Sequence, residues 1–143
     1  MTSMHAIDTN VWIYSQDIRD KDKQKAAQDI IAVTRPLALP WQVGCEFIAA
    51  SRKLTTFGFS AEQAWQSLEA MQALADVILM PSTKHWSICS ELVSNYKISF
   101  WDGMLIASCI EGGVKTLFTE DLTEDSIVAG VRIVNPFRKL ALE

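Results

Sequence analysis

The chain has 143 residues, 49% of them hydrophobic and 21% charged, with a formal net charge of −4 at pH 7. That length and apolar content support one folded domain with its own core, spanning residues 1–143, and exclude a disordered chain. The acidic balance excludes a broadly basic clamp on nucleic acid. It does not exclude a nuclease, because clustered acids that hold metal push the total negative while the metal restores positive charge locally.

Met4 to Ile7 reads as a first strand, ending at Asp8-Thr9-Asn10, and Val11 to Tyr14 starts a short apolar helix. Arg19 to Thr34 is a second helix, charged in its first half and apolar in its second. Asp17, Asp20 and Asp22 lack the glycine and glutamate of a calcium loop, and read as a solvated helix start. Leu37 to Pro40 is a second strand. The helix after it, Trp41 to Leu54, carries one early acid, Glu46, among Val43, Cys45, Phe47 and Ile48. Ser60-Ala61-Glu62-Gln63 is a capping box for a helix to about Leu74, and Asp76 to Met80 is a third strand. Ser82 caps a helix to about Tyr96, whose Trp86, Cys89, Leu92, Val93 and Tyr96 form a stripe expected in the core.

From Phe100 to Ile110 apolar residues lie on nearly every side of a helical period, the pattern of a buried helix. Asp102 is its only charge before Glu111, and Gly112-Gly113 stops it. Thr116 to Thr119 is a fourth strand leading to Asp121, and Val131 to Val134 is the last, closed by Asn135-Pro136-Phe137. Alternating strands and helices imply a parallel α/β sheet covered on both faces.

In such sheets ligands bind outside the carboxyl ends of the strands. Asp8 closes the first strand and Asp121 follows the fourth, while Glu46 and Asp102 lie early in helices that run along the sheet. Each has a plain structural explanation alone. Ser99-x-x-Asp102, for one, has the spacing of a capping box. Connectivity of this kind can bring all four to one edge, where together they would make an acidic site. Four carboxylates would repel, by ~4 kcal/mol for a pair about 4 Å apart at a protein-surface dielectric. Oxygen donors of this kind suit magnesium or manganese rather than zinc. Such an ion can activate water against a phosphodiester. Asn10 and Thr119 lie beside Asp8 and Asp121 and could hydrogen-bond the carboxylates, while Asn10 could equally be a turn residue.

Ile7-Asp8-Thr9-Asn10, Glu46, Ser99-Phe100-Trp101-Asp102, Thr119-Glu120-Asp121-Leu122 and Asn135-Pro136-Phe137 resemble the motifs of PIN-domain ribonucleases. More narrowly they resemble the VapC-type toxins of bacterial toxin–antitoxin pairs. The resemblance covers essentially the whole chain. It implies a PIN-like three-layer α/β/α fold with a short central parallel sheet. It also implies a metal-dependent endoribonuclease with Asp8, Glu46, Asp102 and Asp121 around magnesium or manganese, and RNA as substrate. A cognate antitoxin that covers the site and a homodimer belong to the same implication. Gly103 stands where the family often has alanine, at a cost to the helix of roughly 1 kcal/mol. Thr123-Glu124-Asp125-Ser126 stands where a glycine-containing loop is common, and Asp125 is not counted among the site acids.

Other features are read as structural. No apolar run approaches the roughly 18 residues that span a bilayer, and Met1 to His5 do not resemble a signal peptide, so the cytoplasm is the expected compartment. Cys45, Cys89 and Cys109 match no zinc spacing and read as reduced core residues, and Trp12, Trp41, Trp65, Trp86 and Trp101 as packing. Phe57 and Phe59 flank Gly58 in a loop expected to be exposed, where they would either meet a partner or pack the loop down. Two other functions fit less well. A non-catalytic PIN-fold module that binds RNA or protein would not need all four acids. A phosphatase with Asp8 as covalent nucleophile commonly has a second aspartate two residues on, where this chain has Asn10.

Overall fold

A computed structural model describes residues 3–122 and 126–141. Six strands, β1 (Met4–Ile7), β2 (Leu37–Pro40), β3 (Val77–Leu79), β4 (Val114–Phe118), β5 (Ile127–Val128) and β6 (Val131–Val134), form one sheet in the order β3-β2-β1-β4-β6-β5. All pairs are parallel except the β5–β6 hairpin. Ala129 and Gly130 turn that hairpin with φ of +48° and +89°. Ala6, Ile7, Leu37, Ala38, Leu39, Leu117 and Ile133 are buried, which explains why the inner strands read as nearly unbroken apolar runs.

Helices flank the sheet. On one side α5 (Lys84–Asn95) and α6 (Phe100–Glu111) form an antiparallel pair, with α6 against β2, β4 and β6. The other helices, α1 (Thr9–Tyr14), α2 (Lys21–Val33), α3 (Trp41–Ser51) and α4 (Ala61–Leu74), pack against one another, and α4 reaches β2. A short 3-10 turn, Arg52–Phe57, follows α3, and α7 (Arg138–Ala141) ends the described chain. No helix among the described residues is long and apolar enough to cross a membrane.

The strand and helix order matches the sequence reading, while β5 and α7 were not foreseen. Asp125 lies outside the described residues. Several side chains depart from expectation. Asp17 is buried, not solvated, because Arg19 Nε and Nη2 donate to its two oxygens at 2.9 and 2.8 Å. Cys45 is exposed on α3. Of the five tryptophans only Trp12 is buried, donating from Nε1 to the Ile7 carbonyl at 3.1 Å. The α5 stripe is half right: Cys89 and Leu92 are buried, but Trp86, Val93 and Tyr96 are exposed. The first turn of α6 also breaks the all-round burial, since Phe100 and Trp101 face solvent. Phe59 is not open to a partner, since it is buried edge-on against Phe47, and Phe57 carries the Arg19 guanidinium over its ring. Ser82 lies one residue before the α5 cap, and its hydroxyl accepts the Lys84 N–H at 3.1 Å.

Candidate active site

β1 and β4 are adjacent central strands in parallel register, Ile7 opposite Phe118. Asp8 therefore leaves the sheet beside Thr119. The Asp8 N–H still donates to the Phe118 carbonyl at 2.8 Å, and the Thr119 N–H to Val134 at 2.9 Å. Both residues are buried. Asp8 caps α1, its Oδ1 accepting the Thr9 N–H at 2.7 Å. Its Oδ2 accepts the Thr119 hydroxyl at 2.8 Å. That hydroxyl in turn accepts the Asp121 N–H at 3.1 Å and the Asn10 amide at 3.4 Å, so one donor and two acceptor positions are all used. Thr119 thus ties Asp8 to the loop bearing Asp121. Asn10 acts one step further out than expected: it holds Thr119 rather than a carboxylate.

Glu46 lies in the second turn of α3, which starts directly from the end of β2. Its Oε1 accepts the Thr9 hydroxyl and the Gln42 amide, each at 3.3 Å. Gln42 Nε2 also donates to the Trp101 carbonyl at 3.0 Å, joining α3 to the start of α6. Thr9 and Gln42 were missed in the sequence. The available signals were adjacency to Asp8 and the i, i+4 spacing that puts Gln42 and Glu46 on one helix face. Asp102 occupies the first turn of α6. The Ser99 hydroxyl accepts the Asp102 N–H at 3.1 Å. The reciprocal side-chain bond seen at Ser60 and Gln63 is not part of this cap.

Charge interactions run from Asp8 to Asp121 and Glu46, and from Glu46 to Asp102 and Asp121. Burial pushes Asp8 up to about 6; hydrogen bonds from Thr119 and Thr9 oppose the rise, and the charges of Asp121 and Glu46 add to it. Burial also raises Glu46, against hydrogen bonds from Gln42 and Thr9, and the charges of Asp102 and Asp121 raise it further. Glu120, between Thr119 and Asp121, is taken elsewhere. Tyr14 donates to it at 2.8 Å and Lys23 pairs with it at 2.5 Å.

Among the described residues no three His, Cys, Asp or Glu side chains form a ready-made cage for an ion. Magnesium is usually held through one or two carboxylates and its own waters rather than a full protein cage. Carboxylate oxygens with Asp8 buried among them are the donor chemistry that ion takes. Two hollows adjoin the acids. On the Glu46 side an apolar groove of about 410 Å³ runs between α3 and α6, lined by Trp41, Cys45, Trp101 and Met104. Trp41 is 50% exposed and Trp101 61%. On the other side Asp102 and Asp121 line a more polar cleft of about 540 Å³.

The structure of VapBC2 from Rickettsia felis bound to a DNA fragment from its promoter is similar to this chain, with 16% identity, a TM-score of 0.64, and 92% of this chain and 98% of that one covered. So is the sarcin–ricin loop cleaving toxin VapC20 from Mycobacterium tuberculosis, with 17% identity, a TM-score of 0.62 and coverages of 82% and 91%. DNA-bound VapBC from Salmonella typhimurium gives 15% identity, a TM-score of 0.64 and coverages of 94% and 99%. At these identities the likeness is one of fold. No curated protein sequence matches the chain. The PIN domain family matches residues 6–123, which contain all four acids and most of the chain, and the chain belongs to that family.

Proposed function

We propose that this chain is an endoribonuclease dependent on a divalent metal ion, and that it acts as a toxin restrained by a cognate antitoxin. The observation that carries this reading is the buried Asp8 carboxylate at the sheet edge, raised to about 6, with the charges of Asp121 and Glu46 acting on it and those of Asp102 and Asp121 acting on Glu46. Burying a carboxylate among others is costly unless a cation offsets it. Magnesium or manganese bound there would supply positive charge to the phosphate oxygens and an activated water. Asp8, Glu46, Asp102 and Asp121 would hold the ion. Thr119 fixes Asp8 relative to the Asp121 loop, and Gln42 and Thr9 fix Glu46.

The RNA substrate is supported by the likeness to a toxin that cleaves the sarcin–ricin loop, and the antitoxin by the likeness to VapBC structures. The apolar groove bordering Glu46, with Trp41 and Trp101 exposed, is the surface such a partner would cover. A homodimer belongs to the same reading and is checked by light scattering. The expected activity is cleavage of single-stranded RNA by the partner-free protein with magnesium or manganese, lost in EDTA and regained on adding either ion. Cutting that survives complete chelation removes the metal from the reading. Binding of RNA without cutting under any of these conditions favours the non-catalytic module. Expression of the chain alone should arrest bacterial growth, and co-expression of its partner should relieve the arrest.

A further inference from the structure

The two hollows beside the acids differ in chemistry. The apolar groove on the Glu46 side has no lysine or arginine in its lining. The cleft on the Asp102 and Asp121 side lies between the α5–α6 loop and β5, and is lined by Asn95, Tyr96, Lys97 and Ser99 as well. It brings together a cation, an aromatic ring, an amide and a hydroxyl. Those are the groups that meet the phosphate, the base face and the base edge of single-stranded RNA. At about 540 Å³ the cleft has the size of a small-molecule site, which suits one unstacked nucleotide rather than a duplex.

Two details of the wall bear on this. Lys97 has φ +31°, in the left-handed region that glycine adopts freely and lysine does not. The turn from Asn95 to the Ser99 cap would be made with less strain by glycine, so the lysine is not explained by the backbone. Next to it, the Tyr96 hydroxyl accepts the Ala129 N–H at 3.2 Å. That bond braces the loop against the β5–β6 turn and fixes the distance between the cleft's two walls.

We propose that this cleft is the RNA subsite adjoining the cut. It takes one unstacked nucleotide of a single strand, with its phosphate at Lys97 and its base against Tyr96, and leads the strand to Asp102 and Asp121. The proposal deepens the ribonuclease reading and rests on it.

The test is steady-state cleavage of a single-stranded RNA oligonucleotide over a range of salt, for wild type, Lys97→Gly, Lys97→Arg and Tyr96→Leu. Lys97→Gly relieves the strained turn and should unfold at the same temperature as wild type or higher. Its KM should rise about tenfold with kcat within roughly twofold, the mark of lost binding rather than lost chemistry. Its plot of log kcat/KM against log salt should flatten by ~0.7, the value for one phosphate contact on a single strand. Lys97→Arg should keep the wild-type slope. Tyr96→Leu should raise KM by about tenfold or more while leaving the slope unchanged. A wild type that cuts RNA beside a Lys97→Gly variant with unchanged KM and slope overturns the cleft alone. A wild type that neither cuts nor retains RNA overturns the ribonuclease reading and the cleft with it.

Discussion

Gly103 of α6 lies so close to Cys89 of α5 that a Cβ on residue 103 would stand 2.8 Å from the Cys89 sulfur and 3.2 Å from Val93 Cγ2. The glycine is therefore what lets the two helices close, and not merely a weak helix former. Gly103→Ala should gain roughly 1 kcal/mol of helix propensity and lose roughly 1–3 kcal/mol by overpacking. The net effect expected is destabilisation. Removing the sulfur makes room, so Cys89→Ala combined with Gly103→Ala should be more stable than the two single effects added. Urea unfolding of the four proteins gives the coupling directly. Strict additivity would mean that the sulfur is not what excludes the methyl group.

Thr119 is fully buried, and its hydroxyl serves Asp8 and Asp121 at once. Thr119→Val keeps the shape and removes both bonds. The buried Asp8 oxygen then loses its donor, at a cost of roughly 1–3 kcal/mol, and the Asp121 loop loses its tie to β1. Stability in denaturant and RNA cleavage should both fall, and Thr119→Ser should restore both. A valine variant with normal stability and normal cleavage would show that the hydroxyl ties nothing that matters.

Asp8 titrates at about 6 in the folded chain against an ordinary 3.8. Between those values the folded state binds the proton more tightly than the unfolded state, so this group's contribution to stability rises as pH falls. Above pH 6 the buried charge costs the fold ~3 kcal/mol relative to the protonated form, and below about pH 4 that cost is gone. Asp17 works in the opposite sense, because hydrogen bonds from Arg19 hold it low. The difference between Asp8→Asn and wild type isolates the Asp8 effect. Asparagine still caps a helix. In EDTA at pH 7.5 Asp8→Asn should be the more stable protein, and the gap should close toward pH 4. Thermal unfolding across that range checks it. A gap that does not change with pH would place the Asp8 titration elsewhere.

Asp8 and Asp121 stood out because each follows a strand and Asp102 because it lies in the first turn of a capped helix, positions that follow from local pattern, whereas Glu46, in the second turn of α3, stood out only as the early acid of an apolar helix. Asp8 after Ile7 and Asp121 after β4 needed only the alternation of elements to be brought together. Pairings between side chains distant in the chain were not legible. Gln42 to the Trp101 carbonyl and Lys23 to Glu120 depend on how the helices cross. Exposed tryptophans were misread for a related reason. Trp41 and Trp101 sit at helical spacings that fit a core, and sequence does not distinguish a core face from an exposed one. The close packing at Gly103 was not legible because its neighbour, Cys89, lies on another helix.

Asp102 separates a capping residue from a metal ligand. The cap at this helix uses the Ser99 hydroxyl and the backbone N–H of residue 102, so Asp102→Asn leaves that bond in place. If the carboxylate served only the helix dipole, its loss would cost roughly 0.3–1 kcal/mol, and metal would affect both proteins alike. Its charge, however, raises Glu46 across the site, so removing it relieves repulsion in the metal-free protein. In EDTA the variant should therefore match or exceed wild type in stability. With manganese at a hundredfold excess over the dissociation constant, wild type should gain about 2.7 kcal/mol. The variant should gain much less, and its RNA cleavage should fall by orders of magnitude. Thermal unfolding with EDTA and with manganese, beside a cleavage assay, reads all three. A variant that is destabilised without metal, responds fully to manganese and cuts at a normal rate would make Asp102 a helix-dipole residue and remove it from the four-acid site.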